Sequence, residues 1–168
     1  LFDYVRAGVK TAYDWKTDHN YELRPFPRYW QGPFGLCAAL SCLEIAHYYF
    51  VLDDLDDVST KSGDLDVVNG MADVPEVEDY LKAIGVYEST TDAPTYADVI
   101  TQIRVQKDPI YAARDVTGGR HAVVIVGYLD AGPLGQFVII QNSNVAVVTY
   151  PIAFSEFLNN DPTFIYVD

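Results

Sequence analysis

The stretch from Leu36 to Leu52, LCAALSCLEIAHYYFVL, constrains the fold more than any other part of the chain: it carries one charged residue, Glu44. Leu43, Ala46 and Phe50 fall at helical spacing, and most positions between them are also apolar, so a helix here has no polar stripe to offer to water. Such a helix must be buried on most sides, with the rest of the chain wrapped around it. Asp53 and Asp54 mark its expected end, because carboxylates at a helix C-terminus oppose the macrodipole.

Two shorter helices are predicted after it. VPEVEDYLKAIG, Val74 to Gly85, has Pro75 in the tolerated first turn and Gly85 as its C-cap. TYADVITQIRVQ, Thr95 to Gln106, opens with Thr95 and Asp98, a capping-box pair. Beyond Lys107 the character changes. PIYAAR, HAVVIVGYL, QFVIIQN, AVVTY and TFIYV are short β-branched and aromatic runs separated by Gly, Pro, Asp and Asn, the pattern of strands. Before Gln31, the prolines of RPFPRYW favour extended chain following an opening helix or strand. This order predicts an α+β fold in one domain, with residues 1–90 mainly a helical lobe and residues 91–168 mainly an antiparallel sheet or barrel lobe, a cleft lying between them.

Charge excludes several function classes. With 24 acidic against 11 basic residues the net charge is −13, which disfavours nucleic acid and anionic membrane surfaces as partners. No uncharged apolar run reaches the 18 residues of a membrane span. The acidic runs DDLDD, Asp53 to Asp57, and DLDVVNG, Asp64 to Gly70, lack the ligand spacing of a calcium loop and read as solvated loops. Cys37 and Cys42 point ~140° apart on a helix and should not pair, so no disulfide framework indicates a redox compartment. A chain starting at Leu1 is expected to be a mature form or an excised domain.

The chemistry concentrates at the start of the long apolar stretch. In WQGPFGLC, Cys37 sits where a Gly- and Pro-containing loop gives way to the helix. A thiol attacks as its thiolate, and a helix N-terminus stabilises that anion with unpaired N–H groups. By itself Cys37 reads more readily as a small buried core residue, which is also how Cys42, deeper in the helix, reads. Gln31, six positions ahead of Cys37, can offer its side-chain amide to a developing oxyanion, with the Cys37 N–H as a second donor. A thiolate needs a base and proton donor, and the chain has three histidines. His19 lies in the polar TDHN, and His47 is about 15 Å along the same helix from Cys37. His121 follows TGG and begins a strand, where its ring can be held rigidly. Asn142, at the end of the next strand-like run, can orient that ring, with Asp130 in the intervening turn as a rival.

Taken in order, QGPFGLCAALS (Gln31 to Ser41), HAVVIVGY (His121 to Tyr128) and QNS (Gln141 to Ser143) resemble the papain-like cysteine peptidases, and DWK (Asp14 to Lys16) resembles the segment preceding their glutamine. The short chain and DPIYAAR…GGRHAVVIVGY look closer to the smaller bacterial C39-like and staphopain-like branches, with the branch itself left open. The resemblance implies a papain-like fold with Cys37 as nucleophile, His121 as general base and acid, Asn142 as its orienting partner and Gln31 in the oxyanion hole. It implies no metal and no cofactor. There are departures. Phe34 and Ala38 replace a Cys and a Trp or Tyr of papain and the cathepsins, and His and Asn follow the nucleophile at less than the ~130–150 residues found there. Asn144 stands where a Trp normally follows the NS pair.

The function expected is hydrolysis of a peptide or isopeptide bond through an acyl-enzyme, with a protein or peptide as substrate and a propeptide, inhibitor or fused domain as further partners. The same residues would also serve an acyltransferase, transglutaminase or deamidase, which differ only in what resolves the thioester. A catalytically silent papain-like binding module is the reading of a different class.

Overall fold

The computed structural model describes residues 20–30, 35–63, 74–144 and 149–168. The long apolar stretch forms helix α1, Cys37–Tyr48, in which every residue from Ala38 to Ala46 is buried. It stops one turn short of Leu52. Phe50 adopts the left-handed conformation (φ 63°), and the Phe50 and Val51 N–H groups return to the carbonyls of His47 and Ala46 at 3.1 and 2.9 Å. The last turn is thus capped by backbone before the acidic run begins.

That acidic run is a correction to the sequence reading. Rather than a solvated loop, DDLDD opens helix α2, Leu55–Ser62: Asp54 is its N-cap and accepts from the N–H groups of Asp56 and Asp57, while Asp57 reaches back to the Asp54 N–H. Aspartate serves a helix N-terminus as well as it serves a loop, and the pattern did not separate the two. Asp53 is tied down by Lys61 at 2.6 Å and the Tyr80 hydroxyl at 3.0 Å. The DLDVVNG run lies outside the described residues.

The other predicted helices form where expected. Helix α3 is Val74–Ala83, followed by Gly85 at φ 80°. Helix α4, Tyr96–Ile100, has the Thr95–Asp98 capping box and continues as a π-helical turn over Thr101–Gln106. A last helix, α5, spans Phe154–Leu158.

The strands are β1 (Asn20–Glu22), β2 (Tyr87–Thr91), β3 (Ile110–Val116), β4 (Gly119–Asp130), β5 (Gln136–Gln141), β6 (Tyr150–Ala153) and β7 (Thr163–Val167). They form one antiparallel sheet in the order β2-β7-β3-β4-β5-β6, with β1 also paired to β4. The fold is therefore α+β as expected, although two strands come from the mainly helical half. Neither announced itself: β1 is three residues long, and β2, YESTT, is an edge strand with little buried surface and no apolar alternation to display.

Strand β4 organises the assembly. Its first half pairs with β3 and its second half with β1, while β5 lies along its other side. Gly127 permits the crossing, because a Cβ there would stand 2.5 Å from the Tyr21 carbonyl oxygen. Helix α1 packs on this sheet, and Cys42, Ile45, Tyr111, Val124 and Phe164 belong to one continuous core.

Candidate active site

Cys37 is the first residue of α1, and Leu36 before it supplies no side-chain cap. The first-turn N–H groups are therefore not consumed by a capping side chain and face the sulfur's end of the helix. Cys37 is half-buried. Burial pushes its thiol up, but a hydrogen bond with His121, the Ala122 N–H, the His121 charge and the Ala38 N–H outweigh burial and hold it below the ordinary thiol value. His121 responds in the complementary sense. Burial disfavours its charged form, yet its hydrogen bond and charge interaction with Cys37, together with Asn142, raise its pKa above the usual imidazole value. Both shifts favour proton transfer from the thiol to the imidazole relative to the free groups.

Sheet register brings the third residue in. β5 ends with Gln141 opposite Val124 of β4, so the chain just past β5 comes alongside the start of β4, where His121 stands. His121 Nε2 lies 3.0 Å from Asn142 Oδ1, which leaves Nδ1 as the ring nitrogen for the Cys37 thiol. Asn142 is buried and held from two further directions: its Nδ2 donates to the Tyr150 hydroxyl at 2.7 Å, and its Oδ1 accepts the Asn144 N–H at 3.0 Å. The Asn144 side chain comes within 3.4 Å of His121 Nε2. A polar residue therefore flanks the His–Asn contact where the resemblance leads one to expect a Trp.

A small cleft opens beside Cys37 and His121. Ala38, Ala113 and Ala122 give it small apolar walls, Val74 and Tyr111 enlarge the apolar surface, and Arg120 stands at one side. Arg120 is anchored to the Thr163 hydroxyl at 2.6 Å and to Asp115 and Asp161 at 3.3 Å each.

Of the residues singled out from sequence, the structure brings Cys37, His121 and Asn142 together. Gln31 and His19 lie outside the described residues. Asp130, the rival to Asn142, is at the far end of β4, where it accepts the Gly132 N–H at 3.0 Å. His47 is held by the Tyr29 hydroxyl at Nδ1 and by the Asp53 carbonyl, 2.8 Å from Nε2. Cys42 is fully buried, and burial raises its thiol far above the ordinary value. Both cysteines are free. Among the described residues no group of His, Cys, Asp and Glu is arranged to hold a metal ion, and no helix is long and apolar enough to cross a membrane. Tyr150 and the Ala122 N–H were missed by the sequence reading. Tyr150 lies after the Asn142 turn with no motif to mark it, and a backbone group carries no signature of its own.

No family model matches the chain, and no curated protein matches it in sequence. Solved structures do. A double glycine motif protease from an AMS/PCAT transporter, solved in complex with the leader peptide, is 17% identical with a TM-score of 0.58, over 87% of this chain and 93% of that one. A Bacillus anthracis protein assigned as a C39-like peptidase is 12% identical with a TM-score of 0.64, over 90% of this chain and 98% of that one. The chain thus has the fold of the C39-like peptidases, which are papain-like cysteine peptidases.

Proposed function

We propose that this chain is a thiol peptidase whose residues 1–168 form one catalytic domain. The observation that carries the reading is the Cys37–His121–Asn142 hydrogen-bonded series, with a thiol held below and an imidazole above their ordinary values. The Cys37 thiolate attacks the substrate carbonyl, and the developing oxyanion is held by the Cys37 N–H and the Gln31 amide, the latter assigned from its place in the sequence. His121 gives its proton to the leaving amine and then deprotonates the water that releases the acyl group. Asn142 keeps the imidazole in the productive orientation. A peptide substrate is supported by the neighbour solved with its leader peptide and the same fold.

The test has two stages. Iodoacetamide should modify Cys37 well below the pKa of a free thiol and leave Cys42 untouched in the folded protein. Equal, slow labelling of both would overturn the reading. Incubation with a peptide library should then yield new amino termini that Cys37→Ala abolishes, whereas amine adducts or deamidated glutamine would reassign the chain to the acyltransferases or deamidases.

A further inference from the structure

Glu44 is the one charged residue of the apolar stretch and has no exposed surface. A lone carboxyl in such a place is costly relative to an apolar side chain, so its presence calls for a compensating use. Its position supplies one. Seven residues beyond Cys37, it lies on nearly the same face of α1 as the thiol. Its Oε1 accepts the backbone N–H of Tyr29 at 3.0 Å, and the Gln141 side chain lies near the same carboxyl, whose Oε2 is buried without a hydrogen bond. Tyr29 lies in the described segment 26–30, which has no regular secondary structure, and precedes Gln31 by two positions in the sequence. Gln141 is the last residue of β5 and immediately precedes Asn142. One turn further on, His47 takes the Tyr29 hydroxyl, and the two rings meet edge to face at 5.5 Å. Tyr29 is therefore fastened to α1 at both its backbone and its side chain.

We propose that Glu44 is a positioning residue for the acyl-transfer step: flanked by Gln141, it fixes Tyr29, two residues ahead of Gln31 in the sequence, against the helix that carries the nucleophile. This rests on the peptidase reading above. Gln141 is held independently by its pairing in β5, so it serves as the fixed point and Tyr29 as the part that is held. Losing Glu44 should therefore disturb activation of the substrate carbonyl more than formation of the thiolate, which His121 and the helix terminus secure.

Two reactions of the same sulfur separate these effects. Alkylation by iodoacetamide forms an S–C bond and expels iodide, needing a thiolate but no oxyanion donor. Peptide hydrolysis needs both. With the peptide cleaved fastest from a quenched-fluorescence library, Glu44→Ala should lower kcat by about 10–100-fold, change KM less than about threefold, and leave Cys37 alkylation within about twofold of wild type. Glu44→Gln, which can still accept the Tyr29 N–H, should keep kcat within about threefold. Gln141→Ala should lose kcat in the same selective way but by less, and should cost little more in the Glu44→Ala background. A folded Glu44→Ala variant with unchanged kcat would overturn the proposal, as would equal losses in kcat and alkylation, the signature of a merely less stable fold. If Glu44→Ala does not fold, Gln141→Ala decides: a selective kcat loss supports the role, and unchanged turnover overturns it. A wild type that neither cleaves peptides nor alkylates selectively would instead remove the peptidase reading, and the role of Glu44 with it.

Discussion

Cys37 and Cys42 share one helix and lie five residues apart, yet their thiols titrate in opposite directions. Cys37 stands where α1 has unused N–H groups and where β4 delivers an imidazole. Cys42 is fully buried in the interior of the helix, whose backbone groups are already paired. Glu44, two residues further on, follows Cys42: burial, opposed by the Tyr29 N–H, Gln141 and Arg28, raises its pKa to about 8. The first turn of α1 is thus built to hold charge, and its middle to keep ionisable groups neutral. Residue type decides little here. Position along the helix decides the chemistry.

The comparison breaks most visibly if the imidazole is removed. His121→Ala should reduce peptide turnover by at least ~10³-fold, since it deletes both the base and the acid. Cys37 alkylation should also move to higher pH, toward the ~8.5 of an ordinary thiol. His47→Ala, which removes an imidazole at the other end of the same helix, should cost far less, because Glu44 still holds the Tyr29 N–H. In the wild type, turnover should be bell-shaped in pH, rising through the lowered pKa of Cys37 and falling through the raised pKa of His121.

A second test addresses the neutral middle. Glu44 titrates near 4.3 when unfolded and at about 8 when folded, so folding takes up a proton between those values. The stability this supplies is complete below about pH 4 and is lost as pH rises through 8. Urea unfolding should show the wild type losing roughly 2–5 kcal/mol relative to Glu44→Gln between pH 5 and pH 9. Parallel pH profiles for the two proteins would mean that Glu44 is ionised throughout, and the contrast with Cys37 would narrow.

Third comes the interior thiol itself. Cys42→Ser buries a hydroxyl in apolar surroundings and should cost roughly 1–3 kcal/mol, read by denaturant unfolding, with turnover unchanged in the folded protein. Cys37→Ser should reverse that pattern, abolishing turnover with little change in stability, because Cys37 is only half-buried.

The reach of the sequence follows the same physics. Features dictated by local pattern were legible: the buried helix, the Thr95–Asp98 capping box, and strands such as TFIYV, whose predicted bounds are those of β7. The order of Cys37, His121 and Asn142 could also be read, because each sits at the end of an element. Features dictated by partners could not. Asp54 looked like loop until its cap geometry defined α2, and β2 carries no apolar alternation because it is an edge. Glu44 stood out as the lone charge in its stretch, but its use depends on Tyr29 and Gln141, which only the fold brings to it.

The smallest expected effect lies one contact beyond the triad. Asn142 receives the imidazole through Oδ1 and is itself held through Nδ2 by the Tyr150 hydroxyl at 2.7 Å. Tyr150→Phe removes that acceptor while keeping the ring, leaving the Asn144 N–H on Oδ1 as the remaining tether. An amide held at one end still presents its oxygen to His121, but over a wider range of angles. Turnover should therefore fall only about two- to tenfold, whereas Asn142→Ala, which leaves the ring nitrogen without that partner, should cost more. Equal losses in the two variants would mean that Tyr150 fixes the orientation of Asn142 entirely. No loss in Tyr150→Phe would mean that Asn144 suffices, and that the polar residue in place of the expected Trp has taken over the task of holding the pair.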